Sequence, residues 1–201
     1  MKRLLAILMT ALLALSLAAC GGNEANNGAD ASNTANSSEA QESVKSSLEL
    51  LTTVWDSYEE ADKFATTGGD MSEENMTTDA PGKYAVDDGE MLDSSLGFPA
   101  SAVDKIDDAA SLMHMMNANT FTCGAFHVKE GQDVDEVIAA IKDNIMQRQW
   151  ICGMPDKLVI VKADSYIVSF FGEKEIVETF KGKLTEAYPS AETVCDEMIT
   201  E

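Results

Sequence analysis

Residues 111–128, SLMHMMNANTFTCGAFHV, hold both histidines of the chain, one cysteine and three of its methionines. Imidazole, thiolate and thioether together are soft ligands that suit Cu(I), whereas Zn asks for more thiolate or imidazole. The segment 117–120, Asn-Ala-Asn-Thr, separates two runs with strand character, and Asn tolerates the left-handed backbone of tight turns. With an even-numbered turn, Met116 faces Phe121 and His114 faces Cys123. Directly opposed residues share a face, with Cβ atoms about 4.5–5.5 Å apart. His114, Met116 and Cys123 are therefore the candidate metal ligands, and Cu(I) the candidate ion. A three-residue turn pairs His114 with Thr122 instead and dissolves the site. His127 lies four residues beyond Cys123, over about 13 Å along an extended strand, and does not join them. The competing explanation is packing, because Met fills gaps in cores and a buried Cys is usually inert.

The same Cys–His geometry is that of an activated nucleophile, which also needs a group to orient the imidazole and an oxyanion hole. The sequence supplies neither, and it contains no nucleophile elbow, phosphate loop or HExxH motif. The expectation is a non-enzymatic protein. A second chemical candidate is the acid-dense segment 70–93, with Asp70, Glu73, Glu74, Asp79, Asp87, Asp88, Glu90 and Asp93 against Lys83 alone. Calcium takes six to eight oxygens at fixed loop offsets, and Asp87-Asp88-Gly89-Glu90 lacks the alternating ligands of an EF-hand, so a solvated acidic loop is expected. The third candidate is an interaction surface built from exposed apolar groups near loops, namely Phe98, Trp150 and Met154. Against it, Trp150 is expected to cap the core beneath the hairpin at 158–171.

These groups need elements to position them. Val44, Leu48, Leu51, Val54, Trp55 and Tyr58 recur at helical spacing, which predicts a helix over 43–65 stopped by Gly68-Gly69. A short helix is expected over 100–107. Val134, Val137, Ile138, Ile141, Ile145 and Met146 make a second stripe over 133–150, and Ile176, Val177, Phe180 and Leu184 a third over 173–188. Residues 158–161 and 166–171 are dense in β-branched and aromatic side chains and form a second hairpin around Ala163-Asp164. The tail after Pro189 carries no such pattern. The expected fold is α+β: a four-stranded antiparallel sheet from two hairpin–helix units, both later helices on one face. The 158–171 strands are apolar on both faces, so the N-terminal helix is expected to cover the other.

The amino-terminal segment reads as an address. Lys2 and Arg3 precede an apolar run over 4–17 that is short for a membrane span, and Leu17-Ala18-Ala19-Cys20 has the pattern of a bacterial lipoprotein signal. Residues 1–19 are then the signal peptide, Cys20 the lipidated residue, 20–42 a polar disordered tether and 43–201 a single α+β domain. Two acyl chains suffice for stable anchoring, so the expected location is the outer face of the cytoplasmic membrane. The formal charge of −21 argues against a nucleic-acid partner, which needs a basic patch. Cys123, Cys152 and Cys195 leave one thiol over if two are bridged, and none forms a CxxC pair.

The helix ending DNIMQRQW at Trp150, the stretch GMPDKLVIVKADSYIVSFFG that follows, and the helix ending LTEAYP at Pro189 carry a family resemblance. With the signal and tether, they resemble a family of uncharacterised lipoproteins of anaerobic Gram-positive bacteria, sometimes labelled bacteriocin transport accessory proteins. The resemblance covers residues 71–189. It implies a location and a fold, and a lipid-anchored accessory or interaction role with a peptide or membrane-protein partner. It brings no activity and no catalytic residues.

Overall fold

The densest apolar run of the chain, residues 157–172, is the middle of the sheet. The computed structural model describes residues 44–151 and 153–200. The expected signal peptide, Cys20, the whole expected tether and Cys152 lie outside the described residues. Strand β6 (Lys157–Ala163) turns through Asp164, at φ 55, into β7 (Tyr166–Gly172). Alternate side chains leave the hairpin on opposite sides: Leu158, Ile160, Ile167 and Phe171 enter one buried cluster, while Val159, Val161, Val168 and Phe170 enter another. A sheet apolar on both faces needs a layer on each.

Those layers are built by the connections. The strands β4 (Ile106–His114) and β5 (Phe121–Val128) form the other long hairpin, and β5 pairs with β7. Helix α3 (Val134–Met146) links β5 to β6 across β7, and α4 (Lys174–Ala187) links β7 to β8 (Glu192–Met198) across β6. Both crossovers step the same way along the sheet, but β5 and β7 run in opposite directions. Connections of this kind are right-handed in nearly all proteins, and opposite strand directions then send the two helices to opposite faces. That is the arrangement found. Val137, Ile141 and Ile145 of α3 lie in the first cluster; Val177, Phe180 and Leu184 of α4 lie in the second, beside Leu50, Leu51 and Val54 of α1 (Ser47–Asp56). The expectation that both later helices share a face is corrected, whereas the cover by the N-terminal helix is present.

The protein is α+β with an antiparallel sheet of eight strands rather than four. The expected four are its centre, in the order β4-β5-β7-β6, flanked by β8 at one edge. Within β8 only Cys195 is buried, so no apolar alternation betrays it in the sequence. On the far side β4 pairs with both β1 (Thr66–Gly68) and β3 (Gly82–Tyr84), and β2 (Thr77–Thr78) pairs with β1. Helix α2 (Gly89–Leu96) replaces part of the expected acidic loop, with Asp88 as its N-cap accepting from Met91 N (3.0 Å). A 3₁₀ helix, Ala100–Lys105, replaces the short helix expected there. Helix α1 ends at Asp56, nine residues before the expected limit, where the Ser57 hydroxyl caps Val54 O (2.7 Å). Among the described residues, no helix is long and apolar enough to cross a membrane.

Backbone packs directly on backbone where β1 meets β3. A Cβ on Gly82 would lie 2.4 Å from Gly69 N, and one on Gly68 2.2 Å from Gly82 N. Asp70 then fixes the loop: Oδ1 accepts from Ser72 N and its hydroxyl, and Oδ2 from Asn75 Nδ2 (2.7 Å) and Ala85 N (2.9 Å). Burial alone would raise this carboxyl, but the hydrogen bonds outweigh it and bring its pKa from 3.8 down to about 2. A carboxylate lowered in this way stabilises the fold above its unfolded value and loses that contribution as pH falls through the folded one. Asp70→Ala is therefore expected to cost about 1.5–3 kcal/mol at neutral pH. The deficit should shrink from pH 3.8 down to about 2, and urea unfolding of both proteins across that window checks it.

Candidate functional site

The loops at one end of the sheet gather the exposed apolar side chains. Residues 115–120 connect β4 to β5, and residues 147–156 connect α3 to β6. The Asn119 amide ties them together, donating to Gly153 O (2.6 Å) and Ile151 O (3.3 Å). The first loop is ordered by its own polar groups. Asn119 N donates to Asn117 Oδ1 (3.0 Å), Thr120 N to Asn117 O (3.0 Å), and the Thr122 hydroxyl to Ala118 O (2.9 Å). Further in, Met115 N donates to Ala65 O and Glu173 N to Thr120 O, each at 2.9 Å, so β1 and the start of α4 brace the same end. On this frame Met116 is 82% exposed, Ile151 81% and Met154 41%, with Met115 and Met198 also open to solvent. Met198 pairs with Lys157 at the start of β6, which brings the edge strand to the same end.

Trp150 forms the wall behind this surface. Its ring lies 5.2 Å from Phe171 and the Arg148 guanidinium 5.6 Å from its centroid. Its indole N–H is buried without a hydrogen-bond partner. Arg148 in turn pairs with Asp93 (2.8 Å), which ties the end of α3 to α2. A cavity of about 540 Å³ opens here, lined by Met146, Gln149, Trp150, Met154 and Ile199. Trp150 thus caps the first cluster and reaches the cavity at once.

Phe98 does not belong to this surface. It is 0% exposed and packs 4.6 Å from Phe126. Gly97, at φ 70, ends α2 in the left-handed conformation, and Phe98 N returns to Leu92 O, so the chain folds the ring inward. A loop position after an acidic segment gave no hint of that reversal.

The expected metal ligands are not brought together as a set. The loop is even-numbered but, at six residues (115–120), two longer than the expected 117–120, so Leu112 opposes Cys123 and Met113 opposes Thr122. His114 therefore lies two residues along the strand from the position opposite Cys123. Its ring stacks on Phe64 (5.6 Å), and Nδ1 accepts from Met116 N (3.3 Å) and Asn117 N (3.4 Å). Nδ1 is thus turned toward backbone N–H groups of its own loop and away from Cys123. Cys123 is 0% exposed, and burial pushes its thiol well above the ordinary range. Among the described residues, no group of three or more His, Cys, Asp or Glu side chains is disposed to hold a metal. Among the described residues, Cys123 and Cys195 are free thiols and are not bridged to each other.

His127 finds a partner that its sequence neighbourhood conceals. Its Nδ1 lies 2.5 Å from Asp107 Oδ1, and its ring 4.7 Å from that of Tyr166. The pairing arises because Asp108 opposes His127 across the β4–β5 ladder after a bulge between Ile106 and Asp108. The expected helix over 100–107 takes in Asp107, whereas the structure places it at a bulge of β4 beside His127. Nearby, Ser47 N donates to Asp108 Oδ2 (2.7 Å), which fixes the entry of α1 at the end of the sheet opposite the methionine-bearing loops.

No family model, no curated protein and no solved structure matches the chain.

Trp150→Ala should destabilise the domain by about 2–3 kcal/mol, a partly buried indole costing less than a fully buried one. Met116→Ser and Ile151→Ser should each stay within about 0.5 kcal/mol of the parent, because they leave water rather than a core. Denaturant unfolding of the three variants separates wall from surface.

Proposed function

We propose that the chain is a non-enzymatic, lipid-anchored interaction domain of the extracytoplasmic face, tethered through Cys20 and akin to the lipoprotein family it resembles. The observation that carries this reading is the braced loop end, where Met116, Ile151 and Met154 stand exposed on two loops clasped by Asn119. Entry of α1 at the opposite end of the sheet supports it further. Strand β4 alone separates the two ends by nine residues, about 30 Å at about 3.4 Å each. Attachment through the amino-terminal side is then compatible with a partner at the apolar end. The fitting partner is a peptide or membrane-protein segment with an apolar centre. The charge of −21 favours basic groups around that centre and disfavours nucleic acid.

Site-specific photo-crosslinking in cells tests the reading, with the probe at 116 or 151 and a control at the exposed position 186. The expected result is one discrete adduct from 116 and 151, none from 186, and loss of both adduct and membrane fractionation in Cys20→Ala. Equal labelling from all three positions, or Cys20→Ala protein that remains with the membrane, contradicts it.

A further inference from the structure

A second cavity opens on the α1–α4 face, next to the loop end through Phe64 and the start of α4, and has a different chemistry. It measures about 300 Å³ and is lined by Tyr58, Asp62, Phe64, Glu175, Ile176 and Thr179. That is the small end of the range for ligand pockets, suited to a few heavy atoms rather than a cofactor. Its floor is apolar and aromatic: Phe64 and Tyr58 lie 5.3 Å and 5.0 Å from Trp55. Its rim carries two exposed carboxylates, Asp62 and Glu175. Among the salt bridges of the described residues, neither carboxylate is paired with a lysine or arginine.

Two further observations bear on what the cavity can take, the first on a polar contact and the second on a cation. Tyr58 is only 5% exposed, and its buried hydroxyl has no hydrogen-bond partner. A buried phenol without a partner costs free energy until a donor or acceptor reaches it. The surrounding aromatic rings also already attract ammonium groups of this chain. Lys183 Nζ lies 5.8 Å from the Tyr58 ring centroid, and Lys63 Nζ 5.8 Å from that of Trp55. Both are committed elsewhere, Lys183 to Ser57 O (3.0 Å) and Lys63 to Glu60 (2.7 Å), and neither lines the cavity. Aromatic faces beside carboxylates, over an apolar floor, are the chemistry that recognises an alkylammonium group.

We infer that the Tyr58–Phe64–Ile176 cavity binds a small aliphatic ammonium group, with Asp62 and Glu175 supplying the counter-charge. The alkyl chain lies against Phe64 and Ile176, and the ammonium stays at the rim. An anion is repelled by the same carboxylates. A neutral alcohol of equal size gains only the apolar contact.

The probes are n-butylammonium chloride, 1-butanol and butyrate, titrated into the full chain in non-ionic detergent by calorimetry at low salt. The expected result is one butylammonium per chain, bound at least tenfold more tightly than 1-butanol, with no butyrate binding. The double variant Asp62→Asn/Glu175→Gln should weaken the amine about fivefold or more, since two partly screened ion pairs are removed. Ile176→Trp, which fills the cavity from its edge, should abolish binding while the circular dichroism stays that of the parent. Equal affinity for 1-butanol, or an unchanged amine affinity in the double variant, overturns the inference. Nα-acetyl-lysine methylamide then identifies the source. Binding like butylammonium assigns the guest to a lysine side chain of a partner, and its exclusion assigns it to a free amine, the ammonium site standing in both cases.

Discussion

Everything in this domain depends on a hairpin that is apolar on both sides. From Leu158 to Val161 and from Ile167 to Phe171, every side chain but Ser169 is a large hydrophobe, and all are buried. Each such side chain contributes about 1.5–3 kcal/mol only if its own face is covered. One layer leaves half of that contribution in water. Two crossovers in the same direction from oppositely running strands supply two layers, one from α3 and one from α4, without any left-handed connection. Helices α1 and α2 then complete the separate clusters on their two sides. Space is shared closely at the centre: a Cβ on Gly124 would fall 2.4 Å from the Phe126 ring, so the glycine makes room for the aromatic that meets Phe98.

The same constraint explains which parts of the fold are legible in the sequence. Helices α3 and α4 and the β6–β7 hairpin announce themselves because their burial is decided locally, by the period of their own apolar residues. The side of the sheet each helix takes is not written in any single segment. It follows from the strand order, and that order depends on β5 choosing β7 as its neighbour. Strands β1, β2, β3 and β8 are invisible for a related reason: they are short or at an edge, and each buries too few apolar side chains to show a period, Tyr84 in β3 and Cys195 in β8 being isolated cases. Gly68 and Gly69 read as a helix stop, but the close approach of Gly82 requires the first, and Asn75 O together with a φ of +90 requires the second.

The site was partly legible. Trp150 and Met154 were recognisable as apolar residues beside a helix end, and both stand at the loop end of the sheet. Met116 was singled out as a metal ligand, and the structure instead leaves it on the surface that those two residues share. The difference comes from two residues of loop: parity is kept, so the face is right, while the opposed partner of each side chain is shifted. Ile151 and Asn119 went unnoticed, since neither an isolated Ile after a helix nor an Asn in a turn signals a clasp between two distant loops. Acids dominate the composition, yet several act as internal anchors, Asp70 for its loop and Asp108 for the start of α1.

The chain has two tryptophans, and the fold sets one in each layer: Trp55 in the cluster of α1 and α4, Trp150 against that of α3. Trp150→Phe and Trp55→Phe therefore give proteins whose fluorescence reports one face each. Measured against urea beside the circular dichroism of the same samples, the transitions should coincide, because neither layer survives loss of the hairpin they share. Two separated transitions, one face melting while the other keeps its signal, would contradict a domain built on a single two-sided hairpin.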